Sequence, residues 1–244
     1  MRSLNLSSRV LKEVYRDPVA IVLLIFPPVL FLFLFSYIAS SDPNAPSVFS
    51  PELLVPGVTV LSFGFLALFA GMILARDRQS AFLARLLTSP LKSADFIVGY
   101  MIPFLPVAFL QIIVCTAVGM ILGLSFNTGV ILSLAVFMPI ALVCIAIGVL
   151  IGSVFGENTA PPVGSLLIMV ISILGGAWMD LKMIGGIFES IGYALPFAHA
   201  IDAARVLYGG ADLAVVTQEL TVIVLYMLAS FALAITAFWW RTRP

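Results

Sequence analysis

Residues 19–39 read VAIVLLIFPPVLFLFLFSYIA and contain no charged side chain. About 20 apolar residues is the length of helix that crosses a hydrocarbon core roughly 30 Å thick. Five further stretches almost free of charge follow, at 53–75, 96–122, 130–154, 161–178 and 216–240, with Glu219 near the start of the last. Lipid offers the backbone no hydrogen-bond partners, so only helices and closed barrels cross it. Strand-period alternation is absent, which leaves helices. The expected fold is all-α, a polytopic membrane protein with six transmembrane helices.

Composition leaves little room for anything else. The chain has 244 residues, 62% hydrophobic and 10% charged, against roughly 25% charged in a soluble domain. A single transmembrane domain over 1–244 is expected. Residues 1–18 form an interfacial helix, 19–178 hold spans one to five, 179–215 form an outer re-entrant segment, and 216–240 form span six.

Ten of the twelve basic residues fall in 1–18, 76–95 and 241–244; only Lys182 and Arg205 lie elsewhere. Cytoplasmic loops carry such an excess, so both termini are expected in the cytoplasm of a multi-pass protein of the cell membrane. The first apolar run is longer than a signal-peptide core and lacks a small-residue cleavage site, so it reads as a span. Cys115 and Cys144 both fall inside spans and read as small apolar packing residues.

The polar N-terminus is patterned. Leu4, Val10, Leu11, Val14 and Tyr15 are placed on one helical face, with Arg9, Lys12, Glu13 and Arg16 opposite. This suits a helix lying in the membrane interface with its basic face, Arg9, Lys12 and Arg16, toward lipid headgroups. Pro18 can open span one, and Pro27 with Pro28 is expected to bend or unwind it. Ser50, Pro51 and Glu52 read as N-cap, N1 and N2 of span two.

The longest cytoplasmic loop is 76–95. Phe82, Leu83, Leu86 and Leu87 recur there at helical spacing, Arg78, Gln79 and Arg85 supply a polar face, and Ser89–Pro90 ends the helix. Its apolar stripe needs cover, from lipid or from a protein. Pro103 and Pro106 predict a kink in span three. Gly119 and Gly123, and Gly148, Gly152 and Gly156, are four apart. That spacing permits close helix crossings, although glycine is also generally common in membrane helices. Outside, 180–218 contains two amphipathic pieces separated at Leu195–Pro196, the second closed by Gly209–Gly210. Neither is long enough to span, so a pair that dips into the outer leaflet as a re-entrant segment, or lies upon it, is expected.

The span cores hold no Asp, Glu, Lys, Arg or His, which argues against a proton relay. A single histidine, His199, precludes a histidine-rich metal cluster, and no metal site is expected; no nucleophile motif is present either. A P-loop needs glycine directly before its lysine, whereas Lys12, Lys92 and Lys182 each follow leucine. A nucleotide site, if one drives this protein, belongs to another polypeptide. Phe63, Phe69, Met169 and Ser172 are candidates for a substrate path, although lipid-facing aromatics are ordinary.

Three segments together carry a resemblance. They are Arg16-Asp17-Pro18 after the amphipathic N-terminus, the loop from Asp77 through Arg78 and Gln79 to Ser89-Pro90, and Leu195-Pro196 through His199 and Asp202 to Arg205. This set resembles the membrane-spanning subunit of type-2 ATP-binding-cassette (ABC) exporters. The family loop runs E-R-E-x-G-T-L-E-x-L-x-x-S-P. Here Gln79 stands at an acidic position, Ala81-Phe82 replaces Gly-Thr, and Ala84 replaces the second Glu.

The resemblance implies a cytoplasmic coupling helix over 78–88 that docks on a separate ABC ATPase subunit. The docking residues are Arg78, Gln79, Phe82, Leu83, Arg85, Leu86 and Leu87. It also implies an outer gate with Pro196, His199, Asp202 and Arg205. ATP and Mg would sit on the ATPase, present in two copies, with no cofactor in this chain. A second copy or a related permease would complete the complex within membrane lipid, and no nucleic acid is expected. The implied cargo is a drug-like molecule or lipid, with a lipid-linked glycan as alternative. A stand-alone channel or ion-coupled carrier, and a membrane-embedded enzyme or assembly factor, are the competing classes.

Overall fold

The computed structural model describes residues 2–41, 49–79 and 93–242, and no strand occurs among them. The amphipathic N-terminus forms α1 (Arg2–Arg16). A one-residue break at Asp17 leads into α2 (Pro18–Ser41), where the Asp17 carboxylate accepts from the Ala20 amide at 3.0 Å. Next come α3 (Pro51–Gln79) and then span three, split into α4 (Ser93–Met101), a 3-10 turn (Ile102–Phe104) and α5 (Leu105–Ile121). After α6 (Thr128–Leu132) and α7 (Leu134–Val154) comes α8 (Ala160–Leu174). The stretch after α8 holds α9 (Leu181–Ile184), α10 (Gly186–Tyr193), α11 (Pro196–Tyr208) and a 3-10 turn (Leu213–Val216). Last is α12 (Thr217–Thr242).

Among the described residues, five helical runs are long and apolar enough to cross a membrane: Pro18–Ser41, Pro51–Gln79, Ala94–Ile121, Thr128–Val154 and Leu213–Trp240. The stretch read as span five gives a 15-residue apolar helix, α8. It stops short because Gly175 and Gly176 turn the chain, with Gly176 at φ +74°. At 1.5 Å per residue α8 is roughly 22 Å long.

Prolines act differently in the two places where a break was expected. Span three is interrupted by the 3-10 turn at Pro103. Helix α2 continues through Pro27 and Pro28 without unwinding. Pro51 opens α3, and the Leu53 and Leu54 amides donate to the Ser50 carbonyl at 3.0 and 2.9 Å.

Helices α3 and α7 form the centre. Their crossing uses small residues on both sides. A Cβ added at Gly148 would lie 2.1 Å from the Ala67 carbonyl oxygen, and one at Gly152 2.4 Å from that of Gly71. Backbone contact of this kind maximises van der Waals packing where no hydrophobic force acts between helices in lipid. Gly119 instead faces the Val55 side chain, and Gly123 meets nothing within 4 Å. Around this pair, α2 buries only the i+4 stripe Ala20, Leu24, Pro28 and Leu32, and its exposed face carries Val19, Leu23, Phe26, Leu30 and Phe33.

Helix α1 differs from expectation in its buried face. Leu6, Val10 and Val14 are buried, whereas Tyr15 is 75% exposed. The seam packs against span three, where the absence of a side chain at Gly99 admits Leu6. The Ser7 hydroxyl donates to the Gly99 carbonyl at 3.1 Å.

Candidate functional site

Polar contacts gather at three levels of the bundle. At the α1 end of the bundle, Asp77 and Arg78 directly precede Gln79, the last residue of α3, and adjacent positions on a helix point about 100° apart. Asp77 is 4% exposed. Arg9 of α1 donates to both of its carboxylate oxygens, at 3.1 and 3.2 Å, and the Tyr100 hydroxyl donates at 2.7 Å. A buried carboxylate is tolerable only with such a full set of donors. Burial works against the Arg9 charge, but the Asp77 hydrogen bonds and nearby carboxylates outweigh it and hold its pKa above the ordinary value. Arg76 also pairs with Glu13 of α1.

Arg78 turns the other way. Its Nη1 donates to the Gly152 carbonyl at 2.9 Å and to that of Ser153. These belong to the last turn of α7, whose carbonyls lack helical donors. A cation there also meets the negative end of the helix dipole, worth about 0.3–1 kcal/mol. The last residues of α3 thus tie it to α1, span three and α7.

At the opposite end, Arg205 of α11 has a side chain only 9% exposed. Its Nε donates to the Leu53 carbonyl at 3.0 Å and its Nη2 to that of Gly176 at 2.9 Å. Burial pulls the Arg205 pKa below its ordinary value, and Asp202 and Asp180 offset part of that. Asp202 lies 3.6 Å from Arg205 and 3.8 Å from Lys182, and it accepts from the Tyr193 hydroxyl. The far end of α11 is wedged tightly. A Cβ at Gly129 would lie 1.7 Å from the Leu207 carbonyl oxygen, and Asn127 donates to the Tyr208 carbonyl at 2.8 Å.

Between these two ends, Gln111 of α5 is 1% exposed. Its Nε2 donates to the Leu24 carbonyl at 2.9 Å and to that of Ser62 at 3.3 Å. In an unbroken helix the Leu24 carbonyl accepts from residue 28, but Pro28 has no N–H. Gln111 supplies the missing donor and so binds spans one, two and three at one point. A search for charged side chains in the spans passes over it; the signal is an amide-bearing residue in a bundle with a Pro-Pro pair.

The model of the ABC-2 type transporter family matches residues 4–208, from α1 to the end of α11. The chain belongs to the ABC-2 type transporter family. It is therefore an ABC transporter permease, a membrane transport component of a family that generally works with an ABC ATPase. A search of curated proteins gave no match.

Within the ABC-2 chain the residues singled out from sequence fall as follows. Arg78 points inward to α7, and Gln79 is exposed at the end of α3, beside Gly156. Phe82, Leu83, Arg85, Leu86 and Leu87 lie outside the described residues, as does the helix end at Ser89–Pro90. Arg9 joins Asp77, whereas Lys12 and Arg16 are exposed. Pro196 is buried as the first residue of α11, and His199 Nε2 lies 3.0 Å from the Tyr193 carbonyl.

The four path candidates do not converge. Phe63 is fully buried, edge-on to Phe137 with ring centres 6.4 Å apart. Met169 is exposed on α8, and the Ser172 hydroxyl accepts from Trp178 at 2.5 Å. Phe69 lines a cavity at the junction of α1 and α2, with Asp17 and Leu24.

Proposed function

We propose that this permease works in an ATP-driven exporter that moves a lipophilic or amphiphilic substrate outward. A separate cytoplasmic ABC ATPase binds ATP and Mg, in two copies per complex, and this chain pairs with a second copy or a related permease. The observation that carries the reading is the pair Asp77–Arg78. Force applied at 80–92 enters α3 within a residue or two of contacts to α1, Tyr100 and the last turn of α7. Helix α3 then runs unbroken to Leu53, where Arg205 grips its outer end. An inner-end push is in this way linked to the outer segment by one continuous helix. The absence of charged residues from the span cores favours an apolar or amphiphilic cargo over a small ion.

The test is co-purification. Phe82 and Leu86 are assigned to an apolar contact with the ATPase, and burying such side chains is worth roughly 1.5–3 kcal/mol each. The double variant Phe82→Asp/Leu86→Asp is expected to insert in the membrane yet lose the ATPase. Undiminished substrate-stimulated ATP hydrolysis in that variant sinks the proposal.

A further inference from the structure

The cavity that holds Phe69 has two chemically distinct parts. Its volume is about 160 Å³. The inner wall is apolar, with Leu24, Phe69 and Phe104, and the rim carries Glu13, Asp17, Glu157 and Arg76. It arises where α1 breaks into α2 at Asp17 and span three changes to a 3-10 turn ending at Phe104.

The charges on the rim are unevenly paired. Of the three carboxylates that line the cavity, Glu13 is the one that meets guanidinium groups, pairing with Arg76 and lying 3.7 Å from Arg9. Among the described residues no basic side chain forms an ion pair with Asp17 or Glu157, and both are exposed. An anionic amphiphile is repelled by such a rim, and a neutral one gains nothing from it. A bound metal ion does not fit either, because no cluster of three ligating side chains occurs among the described residues and the wall is apolar. Aromatic faces such as Phe69 and Phe104 attract cations, most strongly where water is excluded.

We infer that this cavity receives an amphiphilic organic cation, its charge between Asp17 and Glu157 and its apolar body against Phe69. Calling that cation the cargo rests on the exporter reading above; the binding itself does not. A cytoplasm that is electrically negative concentrates such molecules at the inner leaflet, where the rim lies in the proposed topology.

The experiment measures binding to the full chain in phosphatidylcholine nanodiscs, without the ATPase. Benzyltrimethylammonium, one ring with one fixed charge and on the scale of the cavity, is the cationic probe, and 3-phenylpropanoate, an anion of similar size, is the control. The double variant Asp17→Asn/Glu157→Gln keeps a side-chain oxygen for the Ala20 amide, since asparagine also caps helices. Affinity for the cation is expected to fall about tenfold in that variant, while binding of the anion is weak and unchanged. Should the double variant fail to fold, Glu157→Gln alone, in an exposed turn, is expected to lower affinity about threefold. Failure of the wild type to bind benzyltrimethylammonium overturns the inference. So does equal binding by the variants, or the anion binding as tightly as the cation. Failure of the wild type to co-purify with any ATPase, with cation binding intact, would instead remove the exporter reading and leave the site standing.

Discussion

Gln111 donates its side-chain amide at 2.9 Å to the Leu24 carbonyl, the one that Pro28 leaves without a helical donor. The pairing makes a reciprocal prediction. Gln111→Leu strands a buried acceptor and is expected to cost about 1–3 kcal/mol, read as a lower melting temperature in detergent. Pro28→Ala restores the backbone N–H, so Gln111→Leu/Pro28→Ala is expected to recover most of the loss. If the double variant melts no higher than Gln111→Leu, the missing-donor explanation is wrong.

The crossing of α3 and α7 tolerates no side chain. Gly148→Ala and Gly152→Ala each drive a methyl into a facing backbone carbonyl, and overpacking of this sort costs about 1–3 kcal/mol. Gly156→Ala meets only the Gln79 side chain, which can move, and is expected to melt like the wild type. Equal melting temperatures for all three would show that the helices separate easily.

Arg205 reaches two carbonyls on different elements with two nitrogens, a fork that lysine does not possess. Both Arg205→Ala and Arg205→Lys are expected to loosen the outer end, raising dye leak from proteoliposomes and ATP hydrolysis without substrate. A fully active Arg205→Lys would mean that charge alone matters there.

Tyr100→Phe removes one hydrogen bond from the buried Asp77 carboxylate. The expected loss is about 1.5–3 kcal/mol of stability, with ATPase co-purification retained because Tyr100 is internal. Loss of the ATPase at unchanged stability would place Tyr100 at the docking surface instead.

Topology can be read by thiol labelling. Cys115 and Cys144 are both fully buried, so a Cys115→Ala/Cys144→Ala background is expected to be silent to an impermeant reagent. Arg85→Cys in that background is expected to label only after the cytoplasmic face is opened. Labelling in intact cells reverses the orientation.

Elements governed by hydropathy were legible in the sequence. The span at 19–39 and the helix opening at Pro51 are examples, since lipid imposes helix and proline imposes a start. The outer helix opening at Pro196 was legible for the same reason. The short α8 was not, because the turn at Gly175–Gly176 looks like ordinary membrane glycine. The buried face of α1 differs from the sequence reading at Tyr15 because its choice depends on the space left at Gly99, far away in the chain. Arg78 reads from sequence as part of a polar face with Gln79 and Arg85, yet the helix turns it to α7 and its neighbour Asp77 to α1 and Tyr100. Gln111 is uncharged, so its role emerges only once Pro28 is seen beside it.

Helix α3 carries fastenings at both ends, Leu53 to Arg205 and Asp77 to Arg9 and Tyr100. A one-residue insertion or deletion between Gly57 and Asp77 would rotate one end by about 100° relative to the other, and no side-chain adjustment can absorb that. Two added turns, seven residues, would nearly restore the phase but lengthen the rod by roughly 10 Å. The length of this segment is therefore quantised: substitutions can accumulate along its lipid-facing side, whereas its residue count cannot drift.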